Sequence, residues 1–139
     1  MRFLKLATIV ISAGALLFSL ALLPNRLCFK GGESYTFYCG TSSADCKVVT
    51  ADGSAALKKL TLKNVCGESA VYPSLEIEEF LKEVDGEIVF CEQVADITNY
   101  YCRANLPYSV DIAGQEINLH ICVREDSVMV GTPIIFGGY

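Results

Sequence analysis

His120 is the only histidine of the chain, and it stands two residues from Cys122, one of seven cysteines at 28, 39, 46, 66, 91, 102 and 122. A histidine beside a cysteine is the minimum for thiol hydrolysis, because an imidazole must take the thiol proton before the sulfur can attack. Cys122 shares a strand face with His120, and Cys102 is the second candidate nucleophile, brought near across a sheet. Two residues along a strand span about 7 Å, too far for direct proton transfer. No Cys-His-Asn signature accompanies the pair, so His120 is read as a ring hydrogen-bonded in or beside a sheet. The cysteine spacings contain no C-x-x-C, so no zinc ribbon or thioredoxin-like pair is signalled. A zinc site would have to be assembled from His120 and scattered cysteines.

Four carboxylates, Glu92, Asp96, Asp111 and Glu116, could serve as acid and base if two of them faced a cleft at about 5–9.5 Å. Scattered surface acids are the expectation instead. Glu76, Glu78 and Glu79 are read as a solvated helix face. Gly131, Gly137 and Gly138 form no phosphate loop, since G-x-x-x-x-G-K-[ST] is absent; they are expected to permit turns or close backbone approach. Tyr100, Tyr101, Tyr108 and Tyr139 suit a contact surface for sugar or peptide, and equally a sheet core or its rim. No residue is assigned as catalytic, cofactor-binding or metal-ligating.

What must position these side chains begins with the run Leu6–Leu23, which carries no charge and only Thr8, Ser12 and Ser19 as hydroxyls. With Pro24 and Asn25 it supplies the roughly 20 residues a membrane-spanning helix needs, and it exceeds the apolar part of a typical cleaved signal. Ser19-Leu20-Ala21 offers a cleavage pattern, but leucines continue past it. Arg26 and Leu27 spoil the lipobox before Cys28. The loose likeness to type IV pilins fails at the missing glutamate near the helix start. The expectation is a single-pass anchor, with the bilayer as partner through residues 6–23 and the C-terminal domain outside; a cleaved, secreted form is the alternative.

Charge divides at the same place. Arg2, Lys5, Arg26 and Lys30 give the first thirty residues +4, while all sixteen acids lie beyond against seven basic residues, a net −9. An acidic domain lacks the basic face that nucleic-acid phosphates need, so no nucleic-acid partner is expected. The odd cysteine count prevents complete pairing within one chain. Either some cysteines form disulfides, with Cys39–Cys46 the first candidate, or they are small buried hydrophobes, as Cys91 and Cys122 in their apolar runs suggest.

Two domains of the chain follow: anchor or signal with linker over 1–30, and an extracytoplasmic α+β domain over 31–139. Residues 30–34 read as linker. Strands are expected at 35–39, 46–50, 88–94, 97–103, 108–112, 115–123 and 128–130. Residues 61–72 hold strand and loop, and 134–136 close the domain. Ala113-Gly114 signals a hairpin. A short helix over 55–60 is capped by Asp52 or Ser54. The main helix, Leu75–Val84, carries Ile77, Phe80, Leu81 and Val84 on one stripe, with Ser74 as N-cap and Gly86 as stop. The expected architecture is a membrane helix followed by an antiparallel sheet of five to seven strands with this one helix packed across it; two strand layers with the helix peripheral is the alternative.

The segment from Gly86 to Tyr139, chiefly Tyr100-Tyr101, the Ala113-Gly114 turn leading to Ile117–Ile121, and Val130–Ile135, resembles small envelope proteins of spore-forming Gram-positive bacteria of the YwmB-type, TATA-box-like family. The string that carries it, Val94–Tyr139, covers about a third of the chain and includes no catalytic motif. The resemblance implies a secreted or anchored α+β domain, sporulation-linked and without known catalysis, and carries over no functional residue. The functional expectation is a non-enzymatic anchored envelope protein binding a protein or wall component. An envelope thiol or carboxylate hydrolase and a disulfide-stapled secreted protein are the alternatives.

Overall fold

A computed structural model describes residues 1–22, 26–41 and 47–136. Leu23 to Asn25, Ser42 to Cys46 and Gly137 to Tyr139 lie outside the described residues. With them lie the end of the apolar run, most of the first loop, the Cys46 half of the suggested disulfide, Gly137, Gly138 and Tyr139.

Helix α1 (Arg2–Leu22) runs for 21 residues, and its apolar span is not buried against the rest of the chain. It is long and apolar enough to cross a membrane or to act as a signal sequence. Its three hydroxyls return to their own helix: Thr8 Oγ1 donates to Leu4 O at 2.9 Å, Ser19 Oγ to Leu16 O at 2.8 Å, and Ser12 to the carbonyls of Thr8 and Ile9. These hydroxyls thus find their partners within the helix itself.

The rest is α+β. Strands β1 (Ser34–Cys39), β2 (Lys47–Asp52), β3 (Val65–Tyr72), β4 (Glu87–Val94), β5 (Ile97–Arg103), β8 (Leu119–Val123) and β9 (Val128–Thr132) form one sheet in the order β2-β1-β3-β9-β8-β5-β4. Every neighbouring pair is antiparallel. A separate hairpin joins β6 (Val110–Ile112) to β7 (Gln115–Ile117). Its turn is the expected one: Ala113 and Gly114 both have positive φ, as a two-residue hairpin loop of the right twist demands.

Several expectations are corrected. The main helix is shorter: α3 spans Ile77–Glu83, and Ser74 does not cap it, because Glu76 occupies the cap position in an extended conformation without a side-chain cap bond. Its apolar stripe still works, with Phe80 buried and Ile77, Leu81 and Val84 packed on the core. Nor is it the only helix on the sheet, since α2 (Ala55–Thr61) buries Ala55 and Lys59, an i, i+4 pair on one face. The run 115–123 is two strands rather than one. Asn118 interrupts it by clasping the backbone of Ala104, accepting from its N–H and donating to its carbonyl, both at 2.6 Å.

The strand alternation divides the sheet into two faces. Tyr35 and Phe37 of β1, Ala70 and Tyr72 of β3, Val128 and Val130 of β9, Leu119 and Ile121 of β8 and Cys102 of β5 face the helices and form the core. Phe29 belongs to this core, meeting Phe80 at 6.1 Å between ring centres. In packing terms the domain therefore begins upstream of residue 31. Gly32 and Glu33, read as linker, are already held, by the Tyr35 hydroxyl at 3.0 Å and the Val71 carbonyl at 2.8 Å.

Candidate binding groove

The opposite face of the sheet carries the histidine. Register places Phe90 of β4, Tyr101 of β5 and His120 of β8 side by side. Their rings stack in sequence, Phe90 on Tyr101 at 4.5 Å and Tyr101 on His120 at 4.6 Å, with interplanar angles of 20° and 13°. Offset stacking of this kind adds to burial and stiffens the three strands against one another.

Both His120 nitrogens are engaged. Nδ1 accepts the Ile135 N–H at 3.3 Å, and Nε2 faces Asn99 Oδ1 at 2.9 Å. An acceptor at Nδ1 and a carbonyl oxygen opposite Nε2 together place the proton on Nε2. His120 is 2% exposed, and burial lowers its pKa to about 4. The cause is the loss of water around the charged form, which favours the neutral ring. A neutral ring with a fixed tautomer holds two segments together: β5 through Asn99, and residues 133–136 through Ile135. Those residues follow β9 after a cis Thr132–Pro133 peptide and cross the same face. Tyr38 fixes their far end, donating to the Phe136 carbonyl with its ring edge-on to Phe136 at 5.0 Å. Gly131 meets the expectation of close backbone approach. A Cβ there would sit 2.7 Å from Ile135 Cγ1 and 3.0 Å from the Ile134 backbone.

Cys102 pairs with Leu119 on the core face, across the sheet from His120. Burial pushes its thiol up to about 12 and raises that of Cys122. Neither sulfur is held as a thiolate next to the imidazole, which is what thiol attack needs. Among the described residues no group of three or more His, Cys, Asp and Glu is gathered as a metal ion would need. The four carboxylates fall at three places, and the two that are neighbours lie on the exposed hairpin. Asp111 faces Glu116 across the β6–β7 hairpin and accepts the Gly114 N–H at 2.9 Å; Asp96 sits in the β4–β5 turn, and Glu92 on β4.

Of the tyrosines, Tyr101 joins the ring stack. Tyr100 faces the core, and Tyr108 lies beside Lys59, where burial raises its hydroxyl to about 12. Around the stack is a groove of about 640 Å³ lined by Phe90, Cys91, Glu92 and Tyr101, by Ile112 and Ala113 of the hairpin, and by His120, Ile134 and Ile135. Its size is that of ordinary ligand sites, and its lining is apolar and aromatic with one carboxylate. The sequence singles out Tyr101, His120 and Glu92 for separate reasons. It does not mark Phe90 and Asn99 as partners, although counting out the β4–β5 hairpin from its two-residue turn puts Phe90 near Tyr101.

A second polar cluster, built on a fully buried ion pair, has no announcement in the sequence. Lys59 Nζ pairs with Glu68 Oε2 at 2.6 Å, both side chains at 0% exposure. Lys59 also donates to the Arg26 carbonyl, and Glu68 Oε1 accepts the N–H groups of Cys28 at 2.9 Å and Phe29 at 3.3 Å. Cys28 lies 3.7 Å from Lys59 Nζ, and burial, ahead of the nearby Glu68 charge, raises its thiol to about 12.

No protein-family model, characterised protein or solved structure matches the chain.

Proposed function

We propose that the protein is a non-enzymatic envelope protein, anchored by α1 as a single-pass helix with its domain outside the cell, that binds a protein or wall component through the groove on the His120 face. The observation that carries this reading is the lining of the groove: stacked Phe90 and Tyr101 beside aliphatic Ile112, Ile134 and Ile135, with the histidine committed to structural bonds. Such a surface offers area and orientation to a ligand, and no activated nucleophile. The sporulation link implied by the family resemblance belongs to this proposal as its biological setting.

The test is in-cell photo-crosslinking from a benzophenone amino acid at residue 90, repeated in a Tyr101→Ala background. A discrete adduct that weakens with Tyr101→Ala supports the groove as the binding site. No adduct, together with normal envelope assembly in a deletion strain, ends the reading. Alkaline extraction of membranes tests the anchor separately: retention of the full-length chain is expected, whereas release of a chain beginning after Ala21 marks a cleaved signal.

A further inference from the structure

The groove abuts an open sheet edge. Among the described residues β4 has a neighbour on one side only, β5, and ends the seven-stranded order. It is eight residues long, above the usual strand length of about five or six, and its side chains are mostly exposed, including Ile88 and Val94. Edges are usually blunted by charged side chains, lysine above all, by proline or by a bulge. β4 has no lysine or proline, its charges are Glu87 and Glu92, and its one irregularity lies between Ile88 and Phe90, leaving Phe90–Val94, with the single charge of Glu92, in regular register with Tyr101–Ile97. Three groove-lining residues, Phe90, Cys91 and Glu92, belong to this regular stretch.

From this juxtaposition we infer that the ligand is an extended polypeptide segment, basic in character, which adds as a strand to Phe90–Val94 and places an apolar side chain into the groove. The inference rests on the groove being the binding site. Outward-pointing N–H and C=O groups of alternate β4 residues would supply main-chain hydrogen bonds, and the groove would read every second side chain, as in strand-addition recognition generally. Charge selects the class of segment. Among the described residues that line the groove, Glu92 is the one carrying charge, and no lysine or arginine joins it. Asp96 follows in the β4–β5 turn, and Asp111 and Glu116 lie on the hairpin that supplies Ile112 and Ala113. A second copy of this acidic domain fits poorly, because antiparallel pairing of Phe90–Val94 with its own copy sets Glu92 directly opposite Glu92.

The experiment uses the full-length chain, ¹⁵N-labelled in detergent micelles, titrated with a capped hexapeptide Thr-Val-Thr-Lys-Thr-Val, whose valines and lysine project to one face of the added strand, the face that Phe90 and Glu92 share. Amide shifts confined to residues 90–94 and the groove are expected. Two further peptides carry N-methyl groups on alternate residues, in opposite phases; one phase should lose affinity by about tenfold or more, since it removes the hydrogen bonds facing β4. A glutamate-for-lysine peptide should bind about fivefold more weakly, and Glu92→Lys should reverse that preference. Equal binding of both N-methylated peptides, or shifts elsewhere on the domain, overturns strand addition. Concentration-dependent shifts of β4 without peptide overturn it in favour of self-pairing. An N-acetylglucosamine tetrasaccharide serves as a parallel probe. If it shifts the groove and the peptide does not, the polypeptide class is wrong and the groove stands. If neither shifts it, both fall. Peptide binding to β4 that is unchanged in Tyr101→Ala and Phe90→Ala overturns the groove's role in it.

Discussion

Protonating His120 would put a second N–H where Nδ1 now accepts the Ile135 amide, so the folded protein resists it. The folded pKa, about 4, lies below the usual 6.5, and the unfolded chain therefore binds the extra proton more readily between those values. This contribution to stability is complete above about pH 6.5, declines as pH falls, and is exhausted near pH 4. Over that window it amounts to about 2–3 kcal/mol. Urea unfolding at pH 7 and pH 4.5 should show this loss in the natural chain and a correspondingly smaller loss in His120→Leu, which is less stable at pH 7 because Asn99 and the Ile135 amide lose their partner. Equal pH slopes in the two proteins would remove the buried-neutral account. Thiol chemistry gives a second residue-scale outcome. Cys91, expected from its apolar run to be buried, is exposed on β4 and should label with maleimide in the native state, whereas buried Cys102, its thiol raised to about 12, should label only on unfolding. A reactive cysteine must be both accessible and ionised, and mass mapping of time points reads the difference. Alternation around His120 gives its strand face from sequence. Its partners do not follow, because Asn99 lies across a strand pairing and Ile135 in a segment without regular structure.

Elements are legible wherever a period or a turn announces them. The alternating runs at 34–39 and 97–103 are strands, and Ala113-Gly114 is a hairpin turn. The pattern misleads where a polar side chain overrides it: Asn118 splits a seven-residue alternation by bonding to Ala104, and Lys59 is buried although lysines normally mark the solvent face. No sequence period connects a helix lysine to a strand glutamate nine residues on. The pair binds α2 to β3, and removing one partner leaves the other as an uncompensated buried charge. Lys59→Met is therefore expected to cost about 3–5 kcal/mol in chemical denaturation. Replacing both, with Glu68→Leu added, should recover only part of that. Glu68 also accepts two amides. Each orphaned N–H costs about 1–3 kcal/mol. Full recovery would mean that the Cys28 and Phe29 amides find other partners. On the opposite face, a Cβ at Gly131 displaces Ile135 and strains its bond to His120. Gly131→Ala should therefore cost about 1–3 kcal/mol.

At the scale of the whole molecule, the stretch between the apolar helix and the first strand decides where the domain begins. Composition makes Lys30–Ser34 look like a tether, yet the chain from Arg26 to Glu33 is bonded repeatedly. Arg26 O accepts from Lys59, the Cys28 and Phe29 amides bond to Glu68, and Phe29 O accepts from Tyr35 at 3.1 Å. Lys30 O accepts from Tyr72 at 2.7 Å, and the Glu33 amide donates to Val71. Phe29 itself is buried in the core. The apolar segment is thus followed almost at once by structure the domain depends on. That arrangement suits an anchor held close to its domain, and cleavage after Ala21 would also leave every one of these bonds intact. A pair of insertions separates tether from fold. A flexible Gly-Ser segment placed between Leu22 and Arg26 should leave the denaturation midpoint unchanged, because it interrupts none of these contacts. The same segment between Lys30 and Glu33 should lower stability by about 2–4 kcal/mol, since it frees Phe29 and the Glu68 ligands from the register that β1 imposes on them. Truncation sharpens the contrast. A chain starting at Arg26 should unfold cooperatively at nearly the full-length midpoint, and one starting at Glu33, with Glu68 and Lys59 stripped of backbone partners, should not. Equal midpoints for the two truncated chains would show residues 26–32 to be a passive strap, and the domain would then begin where composition alone places it.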